Sequence, residues 1–288
     1  MKIVTYNIQY GLGQDGRYDL ARIADEISQA DLIALQEVDR HWQRSGGVDS
    51  PAVIASHLPE HHWVYGANMD VDASFRDDQN RLVNRRRQFG TMILSRGPIL
   101  STRNFPLPKI GLAENHSIQQ GALEAVVDTG RGPVRFYSVH LSHLVPATRM
   151  PQVAALLEIH DRAPREGGAW CGGHPDPASG WTEGDMPPMP DQAILLGDFN
   201  FTSQCPEFAA IVGPVDPKYG PLKQFGRFVD AWTQAGNRDE DGRTILDRPV
   251  RIDHAFVSTG LHDAVRTAWI NNTATGSDHY PLWIECDF

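Results

Sequence analysis

The sequence predicts an α+β fold: two packed, mostly antiparallel sheets with helices outside. Three observations predict it. Short apolar, strand-like segments often follow one another directly, which a regular β-α-β alternation would not give. Only a few stretches carry helical periodicity. No internal repeat and no second composition regime divides the 288 residues, so one domain over 1–288 is expected, a length that can bury a large core.

In chain order, Lys2–Ile8 reads as a strand that Gly11-Leu12-Gly13 breaks. Leu20, Ile23, Ala24 and Ile27 recur at helical spacing, which predicts an amphipathic helix over Tyr18–Gln29. Asp31–Gln36 reads as a short buried strand and Pro51–His57 as a second helix. Phe89–Leu94, Gly121–Val127 and Val134–Val139 read as strands. Ala147–His160 has helical periodicity, with Val153, Leu156, Leu157 and His160 on one side. Ala193–Leu196 is a strand, Pro206–Ile211 a helix, and Ile252–Val257, Ala264–Trp269 and Leu282–Cys286 close the set as strands. Ala163–Asp191 is the exception. This Gly- and Pro-rich stretch with Trp170 and Trp181 is too long for a plain connection, and reads equally as a lid or as a surface decoration.

Composition narrows the function. Hydrophobic residues make up 41% of the chain, as in a globular protein. The net charge of −10 disfavours tight non-specific binding to duplex DNA. Cys171, Cys205 and Cys286 are far apart and odd in number, which gives neither a zinc pattern nor a disulfide framework and suits a reducing cytoplasm. No apolar run is long enough for a transmembrane segment, and the strand-like Lys2–Asn7 leaves no room for a cleavable signal.

Polar residues recur at expected strand ends. Gly197-Asp198-Phe199-Asn200 follows Ala193–Leu196 and would bring Asp198 and Asn200 to a sheet edge, where a carboxylate and an amide can activate water beside a phosphate. An Asp-Phe-Asn turn explains that segment alone equally well. Asn7 follows the first strand, and an Asn ahead of Gly11 is also a common turn former. Glu37 follows Leu32-Ile33-Ala34-Leu35; a lone carboxylate there is costly unless paired or bound to a cation, and oxygen-only ligation suits magnesium. His140 ends Tyr137–His140, with Arg149 and Gln152 on the next helix as braces. Asp198 is the candidate general base. Asp253 and the pair Asp278-His279 complete the set; an Asp on one imidazole nitrogen fixes the tautomer and favours a charged ring, while an adjacent Asp and His are also an ordinary surface pair.

The joint order is more informative than any member. Thr5-Tyr6-Asn7-Ile8, Leu35-Gln36-Glu37-Val38, Ser138-Val139-His140-Leu141, Gly197-Asp198-Phe199-Asn200, Arg251-Ile252-Asp253-His254 and Ser277-Asp278-His279-Tyr280-Pro281 span nearly the whole chain. The chain resembles the endonuclease/exonuclease/phosphatase superfamily, the metal-dependent phosphoesterases related to DNase I. The resemblance implies a four-layer α/β/β/α sandwich. It implies Glu37 as the principal Mg²⁺ ligand (Mn²⁺ as the alternative), with Asn7 beside it and Asp278 as a further ligand. Asp198 would orient or deprotonate water, Asn200 and His279 would hold the phosphate, and Asp253 would stand behind His279. His140, where abasic-site endonucleases carry Tyr, and Gln9, where they carry an acidic residue, place the chain nearer the sphingomyelinase-like and deadenylase-like branches. A small or lipid-derived phosphodiester is therefore the favoured substrate. A nuclease on DNA or RNA, a phosphomonoesterase of the inositol-phosphate type and a non-catalytic binding module are the alternatives. Arg81, Arg85, Arg86 and Arg87 form a basic run after the acidic stretch Asp70–Asp78; it reads first as a solvated charged loop and otherwise as a phosphate or nucleic-acid clamp.

Overall fold

Two six-stranded sheets face each other in a computed structural model that describes residues 1–216 and 218–288. The elements in chain order are β1 (Lys2–Asn7), α1 (Leu20–Ile27), β2 (Leu32–Arg40), α2 (Ser50–His57), β3 (His62–Asp72), β4 (Phe75–Arg76), β5 (Leu82–Val83) and β6 (Arg86–Ser95). Then follow β7 (Ile99–Pro106), β8 (Gly121–Asp128), β9 (Pro133–His140), α3 (Pro146–Glu166), β10 (Ala193–Asp198) and α4 (Pro206–Val212). The chain ends with β11 (Val215–Asp216), β12 (Gly220–Pro221), β13 (Phe228–Asp230), α5 (Ala231–Gln234), β14 (Asp253–Ser258), β15 (Val265–Ile270) and β16 (Leu282–Cys286). The first sheet runs β15-β16-β1-β2-β6-β3 and the second β13-β14-β10-β9-β8-β7. Each contains one parallel pair, β1 with β2 and β9 with β10, bridged by α1 and α3; the other pairs within the two sheets are antiparallel.

Period-two alternation explains the near-continuous apolar runs. Ile3, Leu32, Ala34 and Ile93 point inward against Leu123, Phe136, Ile194, Leu196 and Val257 of the second sheet. Their neighbours Val4, Tyr6, Ile33 and Leu35 point outward and pack on Ile23 and Ile27 of α1 and Ile54 of α2. Tyr137, Val139, Leu195 and Phe256 likewise face Leu156 of α3 and Ile211 of α4. Three apolar layers thus separate helix, sheet, sheet and helix. Side-chain caps start the first two helices: Asp19 accepts from the Arg22 amide at 3.0 Å and Asp49 from the Ala52 amide at 3.3 Å.

Five features differ from the sequence expectation. β3, β7 and β13 were not expected. β3 and β7 are edge strands; β7 alternates between exposed and half-buried residues and carries no apolar run. β2 continues past Gln36 to Arg40, so Glu37 lies within a strand rather than after it. The stretch 163–191 begins with the last turn of α3 and contains a short turn of helix at Pro177–Ser179. α3 spans 21 residues, about 30 Å, and carries the chain away from His140 toward the start of β9. There Arg135, fully buried, donates to the carbonyls of Pro190 at 2.7 Å and Asp191 at 3.0 Å. The segment is therefore anchored at the end of the sandwich remote from His140. No helix among the described residues is long and apolar enough to cross a membrane.

Candidate active site

On the inner faces of the central strands, each i, i+2 series turns from apolar to polar in the same direction. The series are Ile3-Thr5-Asn7, Leu32-Ala34-Gln36, Phe136-Ser138-His140, Ile194-Leu196-Asp198 and, in the reverse chain direction, Val257-Ala255-Asp253. All polar ends meet at one mouth, at the carboxyl ends of both parallel pairs. Register does the aligning: Asp198 lies opposite His140 on β9 and opposite Asp253 on β14, so three functional groups share one row. A polar strut ties the two sheets just behind them. Gln36 Nε2 donates to Ser138 Oγ at 2.9 Å, Ser138 Oγ donates to the Leu35 carbonyl at 2.9 Å, and Thr5 Oγ1 donates to Gln36 Oε1 at 3.3 Å.

The backbone is strained at this mouth. Among the described residues six non-glycines have positive φ, and four of them, Gln9, Tyr10, Glu37 and Asn200, surround the site. Glu37, at φ 57°, sits in the irregularity where the β2–β6 register shifts between Leu35 and Val38, which turns its carboxylate to the mouth. Gly197 allows the second sheet to close here: a Cβ on it would stand 1.9 Å from the Val139 carbonyl oxygen.

Asn7 links the sheets. Its Nδ2 donates to Glu37 Oε1 at 3.2 Å and to Asp198 Oδ2 at 3.0 Å, while its Oδ1 accepts from the Gln9 amide at 3.0 Å. Asp198 Oδ1 accepts from the Asn200 amide at 2.9 Å, and Asn200 Nδ2 donates to the Leu141 carbonyl at 3.0 Å. His279 Nε2 lies 3.8 Å and His140 Nε2 3.7 Å from Asp198 Oδ2; His140 Nε2 is also 3.9 Å from Glu37 Oε1. His279 Nδ1 pairs with Asp253 Oδ2 at 2.8 Å. His279 and Asp278 lie in the loop before β16. That loop is held by an isolated bridge from His279 to Ile245 and by Ser277 Oγ, which donates to the Asn7 carbonyl at 2.8 Å. All eight sequence candidates therefore lie at this mouth. Arg149 and Gln152 act one step away. They do not touch the imidazole but fix the chain after it: Gln152 Oε1 accepts from the Ser142 amide at 2.8 Å, and Arg149 donates to the Ser142 carbonyl at 3.3 Å.

Burial and charge set the protonation states. Burial alone would lower His279, but the carboxylates of Asp253 and Asp198 outweigh it and raise it to about 10, so the ring is a cation. Burial lowers His140 to about 4, so that ring is neutral. Burial, reinforced by the Asp198 and Asp278 charges, raises Glu37 to about 7 against the opposing His279 cation and Asn7 hydrogen bond. Asp198 is also raised, by burial first and the Asp253 charge second. Sequence reasoning missed Thr244, whose Oγ1 accepts from the Ile252 and Asp253 amides at 3.0 and 3.1 Å. Arg251 stands in the motif Arg251–His254 without an assigned role; buried, it grips Asp230 through two 2.9 Å bonds and reaches Asp239 at 2.7 Å. Both hold the start of β14; no local pattern marks Thr244.

Two donor sets could receive a cation. Asp198, Asp253 and His279 offer atoms within 4.8 Å of one another. A protonated imidazole already bonded to Asp253 is a poor ligand, however. Glu37 is the better fit: its side chain is 23% exposed at the mouth, and neighbouring Asp198 and Asp278 charges that raise it would be relieved by a divalent ion. Both sets are dominated by hard oxygen donors.

Comparison with known proteins agrees with this geometry. A model of the endonuclease/exonuclease/phosphatase family matches residues 4–279. No curated protein matches the chain. A mannosyl-6-phosphatase of Bacteroides thetaiotaomicron VPI-5482 superposes with a TM-score of 0.65 at 16% identity, over 100% of both chains. A family protein of Leptotrichia buccalis C-1013-b gives 0.65 at 16% over 100% of both chains. A 3′-5′ exonuclease of Neisseria meningitidis gives 0.58 at 18%, again over 100% of both. At these identities the superpositions speak to the fold, and the family match speaks to kinship. The chain belongs to the endonuclease/exonuclease/phosphatase family, and with it to the phosphoric ester hydrolases.

Proposed function

We propose that this chain hydrolyses a phosphodiester by in-line attack of water, with Mg²⁺ as the cation (Mn²⁺ as the alternative) and a small or lipid-derived diester as substrate. The observation that carries the reading is the Asp253–His279 pair at 2.8 Å set beside Asp198. A fixed cation and a fixed base then face the same space, as a pentacovalent phosphate with an attacking water requires.

Asp198 takes the proton of the attacking water at Oδ2. Burial raises its basicity, and Asn7 and the Asn200 amide hold its two oxygens in place. The His279 imidazolium, kept charged by Asp253, donates through Nε2 to a non-bridging phosphate oxygen. Asn200 Nδ2 uses one hydrogen on Leu141 and has a second for the same phosphate. Neutral His140 has one ring N–H, and its Nε2 faces the same space as Asp198 and Glu37. Glu37 would hold the divalent ion, with Asp278 and the oriented Asn7 beside it, and the ion would supply Lewis-acid charge neutralisation to the reacting phosphate. A single domain, a cytoplasmic setting and a kinship closer to the sphingomyelinase-like and deadenylase-like branches complete the proposal. The uniform composition supports the first part, the three free cysteines the second and His140 the third.

The test is an assay with Mg²⁺, Mn²⁺ and Ca²⁺ on bis-p-nitrophenyl phosphate, p-nitrophenyl phosphate, sphingomyelin and a nicked duplex. Diester cleavage is expected to exceed monoester cleavage. Asp198→Asn is expected to lower turnover by about 10²–10³ without lowering the melting temperature. Release of phosphate from the monoester alone, or wild-type turnover in Asp198→Asn, would overturn the reading.

A further inference from the structure

The basic run 81–87 does not behave as one patch. Arg81 is paired with Asp77 at 2.7 Å and Arg86 with Asp70 at 2.8 Å. Arg87 has neither an ion pair nor a side-chain hydrogen bond among the described residues, and its Nε is buried without a partner. Its direction explains the difference. Along β6, Arg86 and Gln88 point to the outer face, where both meet Asp70. Arg87 shares the inner face with Phe89, the face that carries the catalytic groups.

The surroundings of Arg87 are built for a flat cation. Its guanidinium carbon stands 5.3 Å from the Trp42 ring centroid. The Trp42 indole is fixed by its Nε1, which donates to the Gln88 carbonyl at 2.8 Å. On the same ring, at 4.6 Å, lies the guanidinium of Arg44, which also stacks on Tyr10 at 4.0 Å. Arg44 is held edge-on by the buried Asp39, through bonds of 2.9 and 2.8 Å, and is neutralised by it. Arg87 is thus the uncompensated charge of a rigid stack. The stack adjoins the catalytic mouth: the Phe89 ring lies 5.7 Å from the Arg44 guanidinium and 6.2 Å from the His140 ring.

We propose that Arg87, on its Trp42–Arg44–Tyr10 platform, is a subsite for a second phosphoryl group of the substrate, one that is bound but not cleaved. An aromatic-backed guanidinium keeps its fork of N–H donors free and suits the bidentate recognition of phosphate oxygens. The inference rests on the phosphodiesterase reading above and adds a specificity: diesters with a neighbouring phosphate are preferred.

The test compares thymidine 5′-(p-nitrophenyl phosphate) with the same ester carrying a 3′-phosphate. For the wild type, the 3′-phosphate is expected to lower KM about ten- to hundredfold. Arg87→Ala should erase that preference while leaving kcat and the KM of the unphosphorylated ester near wild type. Arg87→Lys should recover part of it. A second readout needs no turnover: calorimetric titration of thymidine 3′,5′-bisphosphate and of thymidine 5′-phosphate into the protein in EDTA. The bisphosphate should bind more tightly to the wild type and not to Arg87→Ala. If neither ester is cleaved but the Arg87-dependent binding persists, the phosphodiesterase reading fails and the subsite stands. If the wild type shows no 3′-phosphate preference by either readout, or Arg87→Ala and Arg87→Gln retain it, the subsite is wrong.

Discussion

Asp253→Asn isolates the role of charge at His279. The side chain keeps its size and an oxygen that can still accept from Nδ1, but the negative charge is gone. In the wild type the Asp253 and Asp198 carboxylates raise His279 to about 10, so at pH 8 about 99% of the rings are charged. Without Asp253, its charge and hydrogen bond no longer raise the ring, while burial, the largest single influence, still lowers it, so the value drops from about 10. A ring returned to the ordinary value near 6.5 is about 3% charged at pH 8. If turnover requires the cation, kcat falls about thirtyfold or more at pH 8 and recovers as the pH is lowered toward 6. The assay is the ratio of variant to wild-type kcat on bis-p-nitrophenyl phosphate across pH 6–9 under saturating Mg²⁺. A ratio that stays flat across that range would refute the argument that Asp253 acts by holding a proton on His279. Stability carries the same sign. Because the folded-state value is raised, the contribution is complete below about 6.5 and is lost as the pH rises toward 10. Urea midpoints should fall over that window in the wild type and less so in Asp253→Asn.

Glu37 is an acid raised to about 7, so its ionisation opposes folding as the pH rises from the ordinary value through 7. Glu37→Gln should therefore melt higher than wild type at pH 8 in EDTA, and added Mg²⁺ should raise the melting temperature of the wild type alone; an equal Mg²⁺ shift in both would remove Glu37 as the ligand. Gly197→Ala drives a methyl into the Val139 backbone and should cost about 1–3 kcal/mol or more in urea unfolding, with a loss of activity at 25 °C that a surface Gly111→Ala does not cause. Arg251→Met leaves Asp230 buried without its partner and should cost about 3–5 kcal/mol. Unfolding midpoints within error of wild type would show that this network carries no weight.

What the sequence made legible follows from burial. Strands in the sheet interiors, β1, β2, β6, β8, β9, β10, β14 and β16, are covered on both faces and appear as apolar runs. β3 and β7 lie at sheet edges, where solvent replaces half of the core and the pattern fades. The site was legible where a polar residue ends such a run, as at Asn7 and Asp198. The row His140–Asp198–Asp253 is a matter of register between strands far apart in the chain, and no local window contains it. The bulge that turns Glu37 to the mouth is equally invisible, because it depends on β6 opposite. The arginine run was ambiguous for the same reason. Which guanidiniums are neutralised depends on cross-strand partners such as Asp70, sixteen residues from Arg86.

The order of the first sheet ties its integrity to the site. β16 is an interior strand that bonds β1 on one side and β15 on the other. The His279 loop immediately precedes it, and Ser277 of that loop bonds the carbonyl of Asn7 at the end of β1. Opening the seam between β1 and β16 would therefore loosen Asn7 and the His279 loop together, so the two sides of the mouth share one point of failure.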